Sequence, residues 1–505
     1  MQIEPSAQQF AARYAAGEPQ VVWTTLVADL ETPVSAFLKV AAGRPMSFLL
    51  ESVEGGAVRG RYSIIGLEPD LIFRVAGTAA EVNRTVLTDP AAFVPSEEPP
   101  LAALRGILDE SRIALPDALP PMAAGVFGYL GYDMVRLMED LPAPQCDPIG
   151  IADAILVRPT LVIAFDVVKD TITVVTPVRV HAGVTAKAAL ARAVERLSAV
   201  VHALDQPLDK STSPLDGGPL HVEPRSNTTP DEFKAMVLRA KDYIAAGDIF
   251  QVVLSQRFEA PFALPPFALY RALRRVNPSP YLFFLDFGGF AVAGSSPEIL
   301  VKTSAGTVTI RPIAGTRPRG GTPHEDVALE AELLADPKER AEHLMLLDLG
   351  RNDVGRVAKI GTVKVTDQFF IERYSQVMHI VSNVEGRLRD DRDAIDALAA
   401  GFPAGTVSGA PKVRAMQIID ELEKQKRSLY AGCVGYFSAG ADMDTCIVLR
   451  TALIKDGTMY VQAGAGVVAD SDPDFEQQEC INKAKALFRA AEEAKRFASA
   501  ARRGE

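Results

Sequence analysis

The chain has 505 residues, 48% hydrophobic and 23% charged, with a formal net charge of −11. That composition excludes a disordered or fibrous chain and leaves apolar mass for several cores, while the acidic balance argues against a coat for nucleic acid or an anionic membrane. The start MQIEPSAQQFAARY has no charged stretch leading into an apolar core, and no apolar run reaches the roughly 18 residues of a bilayer span, so a cytoplasmic enzyme is expected.

Residues 19–200 mix β-rich runs (SFLLES, LVIAFDVV, TITVVTPV) with the helical stretch VTAKAALARAVERLSAVVHAL. Strands beside helices without a βαβ rhythm predict an α+β region over 1–204. ILVRPTLVIAFDVV is broken by Arg158, Pro159 and Asp166. The Pro-, Gly- and Ser-rich segment 205–228 reads as a linker or long loop. A second region follows over 229–495, with a tail at 496–505. It opens on a helix with Thr228 or Thr229 as N-cap and Pro230 at the first turn, ending at Gly247. The runs IFQVVLSQRFEA, YLFFLDFGGFAVAG, VTIRPIAG, CVGYFSA, TCIVLRTALI and MYVQAGAGVV predict strands, with helices at about 325–350, 411–424 and 473–497. Cys146, Cys433, Cys446 and Cys480 form no CxxC, which fits a reducing compartment and no structural zinc.

One spacing occurs twice. In DPKERAEHLMLLDLGRND, Asp336 caps a helix on which Glu339 and Glu342 stand three apart, at the head of a stripe continued by Leu346 and Leu349. In DPDFEQQECINKAKALF, Glu476 and Glu479 repeat the arrangement, followed by Lys483, Ala484 and Leu487. Two readings fit. Four acids turned inward require a cation, and a hard divalent ion such as Mg²⁺ with oxygen ligands suits them. Alternatively, each pair favours a helix N-terminus and meets Lys338, Arg340 or Lys483.

The loop RPIAGTRPRGG offers backbone donors and arginines to an anion, or is an exposed hairpin. FPAGTVSGAPKVRAM reads first as helix-entry chemistry. VQAGAGVV is not GxGxxG, which leaves a dinucleotide site unsupported. Arg450, alone in the apolar run CIVLRTALI, is either edge-exposed or the partner of a buried anion. Cys433 has no histidine near it in sequence and GxSxG is absent, so nucleophilic catalysis is disfavoured. His343 follows a glutamate of the first pair, and His379 in a β-type run reads as a hydrogen-bonded structural residue unless more is known.

The motifs GDIFQVVLSQRF, NPSPYLFFLDF, GSSPEIL, RPIAGTRPRG, ERAEHLMLLDLGRNDVGRV, FPAGTVSGAPKVRAM, YAGCVGYFS, LRTA, QAGAGVVADSDP and ExxExxNKA, in this order, resemble the chorismate-utilising enzymes over about 229–495. The N-terminal half matches less densely, through LLES and GRYSIIG. The resemblance implies an α+β chorismate-binding fold of packed β-sheets flanked by helices. It implies Mg²⁺ bound directly by Glu342 and Glu479, with Glu339 and Glu476 acting through metal-bound water, and the ring carboxylate of chorismate on the metal. The enolpyruvyl carboxylate would meet Arg450, Tyr430 and the backbone of Gly464, Ala465 and Gly466, with Gly315, Thr316, Thr406 and Lys483 completing the pocket. His379 matches a histidine that assists departure of the C4 hydroxyl.

Two positions point to the branch of that family that makes anthranilate. Water-using relatives carry a lysine base where this chain has Gln251, and relatives that make aminodeoxychorismate carry a lysine nucleophile where it has Ala314. The implied reaction is addition of ammonia at C2 with loss of the C4 hydroxyl, then elimination of pyruvate, at the first step of tryptophan synthesis. No GxCxG elbow with a later HxE is present, so ammonia is expected from a separate glutamine amidotransferase subunit in a hetero-oligomer. LLES and NPSPY match the family's tryptophan feedback pocket and implicate Glu51, Ser52, Pro280, Tyr281 and Leu282, with Gly435, Tyr436 and Cys446 nearby. Read alone, they are a strand end and a proline-fixed turn. The alternatives are an aminodeoxychorismate synthase and, from another class, a non-catalytic tryptophan-sensing scaffold.

Overall fold

The structure is a computed structural model that describes residues 1–41, 43–54, 58–208, 223–374 and 377–498. Of the expected linker, 209–222 lie outside the described residues, and its far end forms a short strand, Arg225–Ser226, against Phe258 and Glu259. The expected tail lies outside from residue 499 onward.

The alternation of side chains along the strands explains the layers. On Tyr281–Asp286, Leu282 and Phe284 enter a core shared with helices, whereas Phe283 and Leu285 enter a core of strands and loops to which no α-helix contributes among the described residues. A strand apolar on both faces is covered on both, and two sheets meet across that middle layer. It holds Phe48, Ile64, Phe127, Tyr129, Val162, Val292 and Leu453. Helices Pro33–Val40, Ala186–Asp205, Pro266–Val276 and Pro473–Glu493 cover one outer face. Pro100–Glu110, Pro337–Gly355, Ala394–Gly401 and Lys412–Leu422 supply residues to the core on the other. The resulting α+β architecture of packed antiparallel sheets flanked by helices is the expected one.

The long strand Val58–Ala76 runs beside Ala154–Asp166 and passes from one outer core to the other, with a register irregularity between Pro69 and Leu71. Such a break bends the pair and lets it belong to both sheets. The halves of the sequence share their sheets: Ser47–Glu54 pairs with Tyr281–Asp286, and Gly125–Leu130 pairs with Cys433–Ser438. The buried Arg158 is satisfied by Asp70 and Glu110 at 2.6 and 2.9 Å. Among the described residues no helix is long and apolar enough to cross a membrane.

Two sequence expectations change. The apolar run around Arg450 is two strands, Met443–Ile447 and Thr451–Lys455, and Arg450 stands between them at φ +48°. The first pairs with Ile299–Ser304 and Cys433–Ser438, the second with Ala291–Ser296 and Thr458–Val467, so the chain steps between neighbours there. The helix expected at 325–350 is also two, Pro323–Ala335 and Pro337–Gly355. Asp336 ends the first and caps the second, accepting from the N–H of Lys338 and Glu339 at 2.9 and 3.2 Å.

Candidate active site

The two capped helices bring their glutamates to one place. Burial pushes Glu342 above the ordinary carboxylate range, the like charges of Glu339 and Glu479 push the same way, and a hydrogen bond from Gln251 opposes them. Glu476, 6% exposed, is raised by burial and by Glu479 against a bond from Ser471. Each of the other three acids has a side-chain partner. Gln251 Nε2 donates to Glu342 at 3.0 Å, Arg317 meets Glu339 at 3.1 Å, and Lys483 meets Glu479 at 2.6 Å. In this arrangement no three metal-binding groups close on a single point among the described residues. The donor set, four carboxylates of which Glu342 and Glu476 are held above the ordinary range, still has the chemistry of a hard divalent cation site.

The strand Thr458–Val467 forms the next wall. It pairs with Gln251–Pro261 throughout, whereas its other neighbour, Thr451–Lys455, follows it only as far as Val461. The edge at Gly464, Ala465 and Gly466 is thus left without a strand among the described residues. Glycine is required at Gly464, where a Cβ would lie 2.7 Å from Tyr430 Oη and 2.8 Å from the Leu254 carbonyl, and a Cβ on Gly466 would displace Gln251 Nε2, 2.8 Å away. Ala465 turns its methyl into the core. Lys483 Nζ donates to the Gly464 carbonyl at 2.9 Å. Arg450 has no side-chain partner among the described residues, and burial lowers its pKa. A desolvated guanidinium without an acid suits an anionic ligand.

A bulge closes the chamber. Strands Ile313–Pro318 and Val377–Arg387 slip register between Ala314 and Thr316, and Gly315 takes φ +69° with a Cβ position 3.2 Å from Glu339 Oε2. Nδ1 of His379 lies 3.1 Å from the Gly315 carbonyl and 3.0 Å from Thr316 Oγ1. A carbonyl only accepts, so Nδ1 carries the proton, and Nε2 has no partner among the described residues. Burial and the Arg450 charge bring His379 down to about 4, which makes it a neutral imidazole at neutral pH.

Glu298 escapes the sequence reading. Its carboxyl is 6% exposed, Thr406 Oγ1 lies 3.1 and 3.2 Å from its two oxygens, and burial pushes it up to about 8. It therefore holds a proton at neutral pH. The signal was present in GSSPEIL, where one acid stands in an uncharged, half-apolar block as Arg450 does in its own.

Other candidates fall away. Arg317 bonds Glu332, Asp336 and Glu339, Arg319 bonds Asp326, and Arg311 bonds Glu372, so the arginine loop is neutralised rather than open to an anion. His343 is buried with Nε2 2.7 Å from Ser382 Oγ. Cys433 is buried and its thiol pushed up to about 12.

A separate cavity of about 590 Å³ is lined by Glu51, Ser52, Pro280, Tyr281, Leu282, Gly435, Tyr436 and Cys446, the whole of the second predicted set. Glu51 itself is engaged: Arg274 grips it at 2.8 and 3.0 Å and Tyr270 donates to it, which pins the Ser47–Glu54 strand to the helix Pro266–Val276. Asp444 and Lys302, 3.4 Å apart, line the same cavity.

An unpartnered arginine, an exposed strand edge and clustered carboxylates around one chamber are the features of an enzyme for a small polyanion. The chain belongs to the chorismate binding enzyme family, whose model matches residues 61–489, and it is a chorismate-utilising enzyme. Within that family it falls with the anthranilate synthase component 1 proteins. It is 58% identical to that of Cereibacter sphaeroides over 99% of this chain and 100% of the relative. It is 48% identical to that of Pseudomonas putida over 92% and 93%. The crystal structure of anthranilate synthase component I from Streptococcus pneumoniae TIGR4 superposes with a TM-score of 0.75 at 37% identity, covering 92% of this chain and 98% of that one. The menaquinone-specific isochorismate synthase of Escherichia coli shares the fold, with a TM-score of 0.69 at 20% identity over 96% and 100%.

Proposed function

We propose that the chain aminates chorismate at C2 and eliminates pyruvate to give anthranilate, the first step of tryptophan synthesis, using ammonia released from glutamine by a separate amidotransferase subunit. The observation that carries this reading is Gln251. As a carboxylate Glu342 only accepts, so the amide nitrogen faces it, and the buried Oε1 has no partner among the described residues. An orphaned neutral acceptor suits a nucleophile that is itself an N–H donor and needs no base before attack.

Arg450, Tyr430 Oη and the free edge at Gly464–Gly466 are assigned to the enolpyruvyl carboxylate, with Gly315, Thr316, Thr406 and Lys483 around the ring. Glu342 and Glu479 would hold Mg²⁺, with Glu339 and Glu476 one water further out, and the metal would supply positive charge for the ring carboxylate. Glu298 gives its proton to the C4 hydroxyl, which leaves as water while ammonia bonds to C2. At a pKa of about 4, His379 is neutral at neutral pH, its one proton held on Nδ1 against the Gly315 carbonyl and none on Nε2. Its bare Nε2 suits the opposite task, taking the C2 proton as pyruvate departs with the C–O electron pair.

The test is to supply the purified chain with chorismate, Mg²⁺ and an ammonium salt and to follow anthranilate fluorescence. Glutamine in place of ammonium should give no product. A product that retains its enolpyruvyl group, or glutamine hydrolysis by the chain alone, would overturn the reading. The cavity of about 590 Å³ is assigned to feedback by tryptophan. Ser52 Oγ donates to the Tyr62 carbonyl at 3.0 Å from the cavity wall, and Ser52→Phe is expected to relieve inhibition at least about tenfold by filling that space. Steady-state rates at graded tryptophan check this, and unchanged inhibition would exclude the cavity.

A further inference from the structure

The Glu423–Arg427 pair lies outside the glutamates and the substrate-facing groups, and it is the most completely buried ion pair of the described residues, with side chains 5% and 1% exposed. It sits at the end of helix Lys412–Leu422, where Glu423 is the C-cap. Arg427 Nε and Nη2 donate to the two Glu423 oxygens at 2.9 and 2.6 Å. The remaining donors reach two different segments: Nη1 meets the Val407 carbonyl at 2.7 Å and Nη2 the Val253 carbonyl at 2.6 Å. Glu423 Oε1 in turn accepts from Ser255 N–H and Oγ, both at 2.8 Å.

These partners are neighbours of the substrate wall. Val407 ends the turn Gly405–Val407, which carries Thr406. Ser255 is the register partner of Gly464 across the strand pair. Tyr430 donates its N–H to the Arg427 carbonyl at 3.0 Å, and its ring faces the guanidinium at 5.5 Å. Thr406, Tyr430 and Gly464 come from three separate stretches of chain, and one ion pair ties all three together. A planar fork of spread donors suits that task, whereas a lysine offers its three donors from one point and cannot span acceptors placed so far apart.

We propose that Glu423 and Arg427 are positioning residues that set the spacing of Thr406, Tyr430 and the Gly464 edge, and thereby the fit of the substrate's side-chain carboxylate. The inference rests on the functional reading above. A pair with a merely structural role would be replaceable by apolar side chains of similar volume without effect on substrate affinity, because such swaps commonly preserve the fold. The double variant Glu423→Leu/Arg427→Met makes the separation. Its melting temperature is expected to fall while the chain stays folded, because the Val253 and Val407 carbonyls and the Ser255 N–H lose partners; its Mg²⁺ dependence should be unchanged and its KM for chorismate at least about tenfold higher, with the larger effect on KM than on kcat. Arg427→Lys should fall between the two.

A folded double variant with KM within about twofold of wild type would overturn the positioning role, and so would equal losses in Mg²⁺ response and chorismate KM, which would mark a general collapse of the site. If the double variant does not fold, Arg427→Lys decides alone: a stable protein with unchanged KM refutes the proposal. Failure of the wild-type chain to make anthranilate refutes the functional reading instead.

Discussion

Glu342→Ala and Glu479→Ala are each expected to lower anthranilate formation by on the order of 10³-fold or more while leaving the chain folded. Both carboxylates are the ligands of the proposed cation site, and removing either would take away a ligand and a charge that no neighbour replaces. At Glu342 the effect on stability differs from that of an ordinary core deletion, because two contributions oppose each other. The folded-state pKa of Glu342 is raised, so its carboxylate form is a cost to folding that grows as pH rises above the ordinary carboxylate value. Alanine removes that cost and leaves Gln251 Nε2 without its acceptor, a loss of about 1–3 kcal/mol in the other direction. The two offset, and the metal-free melting temperature should move by only a few degrees.

Mg²⁺ gives the sharper readout. A ligand that binds only the folded chain stabilises it by about 2.7 kcal/mol at a hundred times its Kd. Wild type should therefore melt higher with Mg²⁺, and both variants should lose most of that gain. An undiminished Mg²⁺ shift in the variants, or wild-type turnover in excess EDTA, would sink the metal assignment.

What the sequence showed and what it hid follow one physical division. The glutamate helices were legible because capping aspartates, Pro337 and Pro473, and the ExxE spacing are local, and helices obey local rules. The sandwich was legible in part: a run such as YLFFLD must be covered on both faces. That Phe283 packs on one layer and Phe284 on the other follows from period two, but which strands cover them does not. Pairings such as Ser47–Glu54 with Tyr281–Asp286 join residues more than 200 positions apart, and nothing in either segment encodes the partner. Arg450 was recognised as an anomaly but placed inside a strand, because a left-handed residue at a step between strands carries no composition signal when it is not glycine. The arginine loop misled for the converse reason: its neutralising acids, Asp326, Glu332 and Glu372, sit on other elements. Glu298 was missed because an acid after proline looks like an exposed turn until its burial is known.

Glu298→Gln is expected to lower kcat by about 10²–10⁴-fold while making the protein more stable at alkaline pH. Glutamine keeps the volume and can still accept from Thr406, so the substitution removes the proton and little else. For the wild type, the folded-state pKa of about 8 lies above the ordinary value of 4.5. The folded chain keeps a proton that the unfolded chain has lost, so this group's contribution is fully present below pH 4.5, declines as pH rises to about 8 and is constant above. Glutamine does not titrate. The melting temperature of the variant minus that of wild type should therefore grow through that window and then level off. Wild-type kcat should fall above pH 8 as Glu298 loses the proton that the C4 hydroxyl needs, and the residual activity of the variant should lack that limb. A pH-independent difference in melting temperature would refute the raised pKa. An unimpaired kcat in the variant would remove Glu298 from the proton transfer and return the departure of the hydroxyl to His379.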